Sequence, residues 1–270
     1  MQYRRFGRTN IEASVFTCGG MRFQHSWKKS DKPTNESIKR VESVVKRSLE
    51  LGINLIDTAN GYGTSEEELG YVLSNVPRDS FYIQTKVPLM EDISIFRKLF
   101  DESMELLRLD YVDLFALHGI NNNELLNLAL KKGGCLDEAL RFKKEGRVKH
   151  IGFSTHGPTD IIIDTIHSGG FDYVNLHWFF IFQDNWPAIV EAGKQDMGVF
   201  IISPNDKGGM LYKPSDKLKR LTEPLSPMVF NNLFCLAAPE IQTLTIGASL
   251  PEDLEEHVNS LQYFGRHDEL

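Results

Sequence analysis

Apolar residues along this chain fall into two patterns that take turns. Short β-branched or aromatic runs stand at residues 14–18, 53–56, 81–86, 111–117, 148–153, 173–176, 199–202 and 243–246, and each predicts a strand. Between them the spacing changes to three and four residues. In residues 37–51, Ile38, Val41, Val44, Val45, Leu49 and Leu51 share one helical face, and Gly52 follows as a stop. Residues 66–73, 93–107, 136–145, 158–167, 186–195 and 252–261 predict helices in the same way. Runs such as Asp113-Leu114-Phe115-Ala116-Leu117 are almost wholly apolar, as parallel strands covered on both faces must be.

Eight strands separated by helices predict an α/β fold, a (β/α)8 TIM barrel forming one domain over residues 1–270. An open doubly wound sheet is the competing arrangement. It needs a glycine-rich fingerprint after an early strand, and Gly19-Gly20 lacks the third glycine. Residues 2–11 predict an additional N-terminal β-hairpin, placed to cap the barrel floor. Residues 203–240, rich in Pro, Asn and Gly, predict an irregular segment that carries a substrate or cofactor lid.

Composition narrows the partners. A net charge of −7 argues against a nucleic-acid or anionic-membrane surface. No apolar run approaches the ~18 residues that span a bilayer, and no apolar core of a secretory signal follows Met1. The expectation is a cytoplasmic protein. His267-Asp268-Glu269-Leu270 spells an ER-retention address, but that address acts only on a translocated chain. Cys18, Cys135 and Cys235 have neither disulfide nor metal-site spacing, so reduced, buried thiols and no metal are expected.

The chemistry lies at strand exits. Asp57 follows one apolar run, Tyr62 stands between two glycines in the next loop, and Lys86 and His118 end two further runs. In a barrel these positions gather at one mouth. A free phenol titrates near ~10, and an adjacent ammonium favours its ionised form. Tyr62 then suits proton donation to a substrate oxygen, with Lys86 as tuner, Asp57 as the anchor of the lysine, and His118 orienting the same oxygen. Each residue has a plainer role open to it, as surface charge, turn packing or a backbone-bonded histidine.

Together these residues resemble a known family. Asp57-Thr58-Ala59-Asn60-Gly61-Tyr62-Gly63, Thr85-Lys86 and Leu117-His118 are similar to the Asp/Tyr/Lys/His tetrad of the aldo-keto reductases. Residues 3–9, 16–21, 145–154 and 246–252 resemble further family segments in order, and residues 203–211 resemble a bacterial-type branch. The resemblance implies reversible reduction of aldehydes or ketones, with hydride from the reduced form of NADP, or of NAD, and a proton from Tyr62. It implies a small carbonyl substrate, and a monomer is the default expectation for such a barrel. It places Gly20, Met21 and Asp57 near the cofactor, Ser154 and Asn175 at the nicotinamide carboxamide, and Trp178 stacked on the ring. Ser203, Pro204 and Asn205 would follow the pyrophosphate, and Gly247, Ala248, Ser249, Glu256 and His257 the adenine end.

The departures are Thr155-His156, where relatives often have Asn after the serine, and His177-Trp178-Phe179-Phe180. The basic residues that many relatives use for the adenosine 2′-phosphate are missing around Gly247 and Asp253. Phe23, His25, Trp27, Met90, His118, Trp178 and Phe179 are expected to line an apolar mouth, or to pack between loops. Two other functions stay open: a cofactor-binding redox sensor on the same barrel, and an unrelated barrel hydrolase or isomerase.

Overall fold

A computed structural model of the chain describes residues 1–206 and 209–265. Lys207, Gly208 and the His267–Leu270 address lie outside the described residues. Two short antiparallel strands, β1 (Tyr3–Arg5) and β2 (Glu12–Ser14), come first. The barrel strands are β3 (Phe16–Gly19), β4 (Leu55–Asp57), β5 (Tyr82–Pro88), β6 (Val112–His118), β7 (Val148–Ser154), β8 (Tyr173–Leu176), β9 (Gly198–Ile201) and β10 (Thr243–Gly247). They are parallel neighbours in chain order, and β10 closes the ring against β3. The predicted (β/α)8 barrel with an added N-terminal pair of strands is therefore the observed fold.

Around the barrel lie α1 (Asn35–Glu50), α2 (Ser65–Leu73), α3 (Ile93–Leu107), α4 (Asn123–Leu130), α5 (Cys135–Lys144), α6 (Thr159–His167), α7 (Trp186–Lys194), α8 (Asp216–Thr222), α9 (Pro227–Ala237) and α10 (Pro251–Asn259). Their starts are chemically marked. Thr34 accepts from the Ser37 amide at 3.1 Å while Ser37 Oγ accepts from the Thr34 amide at 3.1 Å, a reciprocal cap on α1. None of the described helices is long and apolar enough to cross a membrane.

Two cores result. The larger lies between strands and helices, and all three cysteines are buried in it. The smaller fills the barrel itself with Phe6, Ile11, Ala13, Leu55, Leu114, Ala116, Tyr173 and Phe200. Phe6 lies 5.5 Å from the Tyr173 ring, centroid to centroid, and closes the floor as predicted for the N-terminal segment. A Cβ on Gly198 would fall 2.8 Å from the Phe6 ring, so the close approach depends on that glycine.

Residues 203–240 are not irregular. They hold α8 and α9, capped by Ser215 on the Leu218 amide and by Ser226 on the Val229 amide, both at 3.2 Å. Pro227 opens α9, a position where its missing N–H costs nothing. Its asparagines are buried ties: Asn231 donates to the Pro204 carbonyl at 2.9 Å, and Asn232 meets His257 Nδ1 at 3.0 Å. Helix α4 was also absent from the periodic pattern, and it starts where Asn122 accepts from the Leu125 amide at 2.9 Å.

Candidate active site

Asp57, Lys86 and His118 stand at the C-terminal ends of β4, β5 and β6, and Tyr62 in the loop after β4 joins them. Lys86 and Asp57 are buried and form an ion pair through Asp57 Oδ1. The same ammonium donates to the Thr58 carbonyl at 2.9 Å. It lies 5.0 Å from the Tyr62 ring centroid. The rings of Tyr62 and His118 meet edge to face, 6.0 Å apart. All four expected residues are thus brought together at one mouth.

The loop carrying Tyr62 is pinned from both sides. The Asn60 amide donates to the Lys86 carbonyl at 2.9 Å, and the Asn60 side chain donates to Ser103 Oγ at 3.0 Å and to the Leu99 carbonyl at 3.2 Å. Gly63 has φ +56°, and a Cβ there would lie 2.1 Å from the Ser26 carbonyl oxygen. Only glycine permits that turn. The Thr64 amide then donates to Ser26 O at 3.0 Å.

The electrostatics correct one expectation. Burial on its own lowers the Lys86 ammonium, but the charge of Asp57 and the facing Tyr62 outweigh it and hold Lys86 above its ordinary value. For Tyr62, burial raises the phenol, Lys86 pulls it down and Asp57 raises it; the balance is above the usual value. The lysine does act as predicted, yet desolvation wins. Tyr62 therefore keeps its proton at neutral pH, with a proton to give. Burial, then Lys86 and His156, push His118 down to about 3, so it is a neutral hydrogen-bonding group there. At its side, His156 Nδ1 and His177 Nε2 stand 2.6 Å apart.

The other expected contacts divide. Ser154 Oγ accepts from the Gly119 amide at 3.2 Å, which leaves its own hydrogen to donate. Asn175, beside it in register, is buried, and its Oδ1 has no partner. The Gly20 carbonyl accepts from Ser65 Oγ at 2.8 Å, and Met21 is exposed. Gly247 faces open space bounded by the Arg22 side chain, 3.8 Å from where a Cβ would stand. The Ser249 amide donates to Asp253 at 2.7 Å, Ala248 is buried and Glu256 is exposed. Ser203 adopts φ +49°, and Pro204 and Asn205 turn inward. Asn205 meets His257 Nε2 at 3.1 Å, and burial pushes that imidazole down to about 4.

Trp178 does not join the cluster: it stacks on Phe234 at 4.7 Å and lies 5.2 Å from Trp186. Phe23 and Phe179 are likewise buried, whereas His25 and Trp27 are exposed. Two clefts of about 410 and 390 Å³ lie elsewhere, one at the floor beside Arg5 and Asp196, one between Tyr212 and Pro227. Neither has the convergent buried groups of the mouth, which is therefore the candidate site among the described residues. Gln84 was missed, although its place two before Lys86 puts it on the same face; Nε2 donates to Asp57 Oδ1 at 2.6 Å. Arg22 was missed too, and its guanidinium stands 6.0 Å from the Tyr212 ring centroid.

Known proteins share the family and the fold. The model of the aldo/keto reductase family matches residues 16–179, and the chain belongs to that family. It is 26% identical over 251 residues to L-galactose dehydrogenase of Arabidopsis thaliana, covering 80% of this chain and 76% of that one. Its fold is similar to the aldo-keto reductase AKR11C1 of Bacillus halodurans in its holo form, with TM-score 0.79 at 18% identity over 97% of this chain and 91% of that one. It is also similar to an aldo-keto reductase of Klebsiella pneumoniae in complex with NADPH, with TM-score 0.75 at 15% identity over 98% and 92%. Family membership supports an oxidoreductase of carbonyl compounds in general.

Proposed function

We propose that this chain reduces aldehydes or ketones to alcohols, reversibly, with Tyr62 as the general acid and a nicotinamide dinucleotide, NADP by preference, as redox partner. The observation that carries the reading is the buried Lys86–Asp57 pair beneath the Tyr62 ring. When bound, the nicotinamide supplies hydride to the carbonyl carbon. Tyr62 gives its proton to the oxygen as negative charge develops there. Lys86 stabilises the phenolate left behind, Asp57 keeps the ammonium charged and aimed, and neutral His118 orients the oxygen by a hydrogen bond.

The residues fit such a cofactor. Ser154 has a hydrogen to donate and Asn175 an unpartnered oxygen, complementary to the two ends of a carboxamide. The open turn at Gly247 suits close approach of a phosphate chain, and Arg22 beside it is a cation suited to phosphate oxygens. The preference for NADP rests on the family likeness and on the structural neighbour in complex with NADPH.

Replacing Tyr62 with Phe tests the reading. Turnover of a test aldehyde should fall by ~10²-fold or more, while quenching of protein fluorescence by NADPH persists. A Tyr62→Phe variant that works at the parent rate refutes the mechanism.

A further inference from the structure

Residues 84 and 86 stand two apart on β5, so both side chains enter the barrel. They meet the same Asp57 oxygen: the Lys86 ammonium pairs with Oδ1, and Gln84 Nε2 donates to it at 2.6 Å. On the far side, Asn175 Nδ2 donates to Gln84 Oε1 at 2.9 Å. All four side chains are buried.

The direction of this chain of hydrogen bonds is forced. A carboxylate paired with an ammonium only accepts, so Gln84 must turn its NH2 group to Asp57 and its oxygen away. That oxygen also only accepts, so Asn175 must give it NH2, and the Asn175 oxygen is left over. The Asn175 oxygen is among the buried side-chain atoms of the described residues that have no hydrogen-bond partner. A buried acceptor without a donor is costly, so such an atom marks a place for a donor. Ser154 pairs with Asn175 across β7 and β8, which sets a free hydroxyl hydrogen beside a free amide oxygen.

We propose that Gln84 is a positioning residue: it ties the Asp57–Lys86 pair to Asn175 and sets Asn175 to receive the NH2 of a nicotinamide carboxamide through its oxygen. The inference rests on the nicotinamide reading above. Without Gln84, the Asn175 amide is free to turn over and present NH2 to the ligand, and the acceptor is no longer guaranteed.

The test measures binding, apart from turnover. NADP+ and its 3-acetylpyridine analogue, in which a methyl replaces the carboxamide NH2, are titrated against protein fluorescence. The parent should prefer NADP+ by about threefold to tenfold, the value of one hydrogen bond. Gln84→Leu should bring the two within about twofold by weakening NADP+, Asn175→Leu should do the same, and the double variant should lose nothing more. A Gln84→Leu protein that keeps the parent preference while Asn175→Leu loses it overturns the role of Gln84 and leaves the nicotinamide reading standing. A parent that binds the two dinucleotides equally also overturns it, and a parent that binds neither removes the nicotinamide reading with it. If melting shows that Gln84→Leu does not fold, Gln84→Met, of similar length, takes its place in the same titrations.

Discussion

Replacing Asp57 with Asn keeps the shape of the side chain and removes the only carboxylate paired with Lys86 among the described residues. The lysine is 1% exposed, so its charge then sits buried with no counter-charge. Breaking a buried pair from one side costs about 3–5 kcal/mol. The lysine has one escape, which is to lose its proton. From an unfolded value near ~10.4, that costs about 1.4 kcal/mol per pH unit, or roughly 4–5 kcal/mol at pH 7 and about 1 kcal/mol at pH 9.5. The penalty therefore has a ceiling that falls as pH rises. The sign agrees with the parent: Asp57 raises Lys86, so its contribution is fully present below the unfolded value and is lost only as pH climbs through the higher folded one. Urea unfolding at the two pH values reads the difference directly. With m of about 3 kcal/mol/M, the midpoint of Asp57→Asn should lie about 1–1.5 M below the parent at pH 7 and within about 0.5 M of it at pH 9.5. An equal gap at both pH values, or a gap worth less than about 1 kcal/mol at pH 7, would refute the reasoning.

Two further outcomes follow from buried groups outside the tetrad. Glu66 is 1% exposed, accepts from Thr85 Oγ1 at 2.5 Å and Ser103 Oγ at 3.0 Å, and is pushed by burial up to about 7. Its contribution is present below the ordinary carboxylate range and is lost as pH rises through about 7, so the parent should lose about 3 kcal/mol between pH 5 and 8 at this site. Glu66→Gln should gain on the parent in melting temperature across that window, and a constant difference would argue against it. Gly198→Ala places a methyl 2.8 Å from the Phe6 ring, and chemical unfolding should show a loss of about 1–3 kcal/mol. Gly61→Ala meets nothing within 4 Å and serves as the control.

The tetrad was readable in the sequence because each member interrupts or ends an apolar pattern, and strand exits in a barrel share one mouth. The strands were readable for the same reason. What the pattern did not carry was the effect of partners far away in the chain. Trp178 stacks on Phe234, and His257 is held by Asn205 and Asn232, contacts that no local spacing encodes. Desolvation decided the direction of Tyr62, and burial is a tertiary property. Gln84 was hidden because a polar residue inside a strand reads as an outward position until its partners across the barrel are known. The asparagines and prolines of residues 203–240 read as breakers, yet Pro227 starts a helix and Asn231 and Asn232 are interior ties.

The Phe6 plug also bears on the order of assembly. Its rivet, Arg5 with Asp196, joins positions 191 apart in the chain, and its socket at Gly198, Phe200 and Tyr173 is made long after the plug. Loop closure over such a separation comes late, so the floor seals only when the ring of strands is nearly whole. Until then Phe6 and Ile11, the large apolar side chains of an otherwise polar plug segment, have no core to enter. Chaperone capture of nascent chains should accordingly persist until β9 is synthesised, and a circular permutant that brings residues 1–14 next to β9 should shorten that wait.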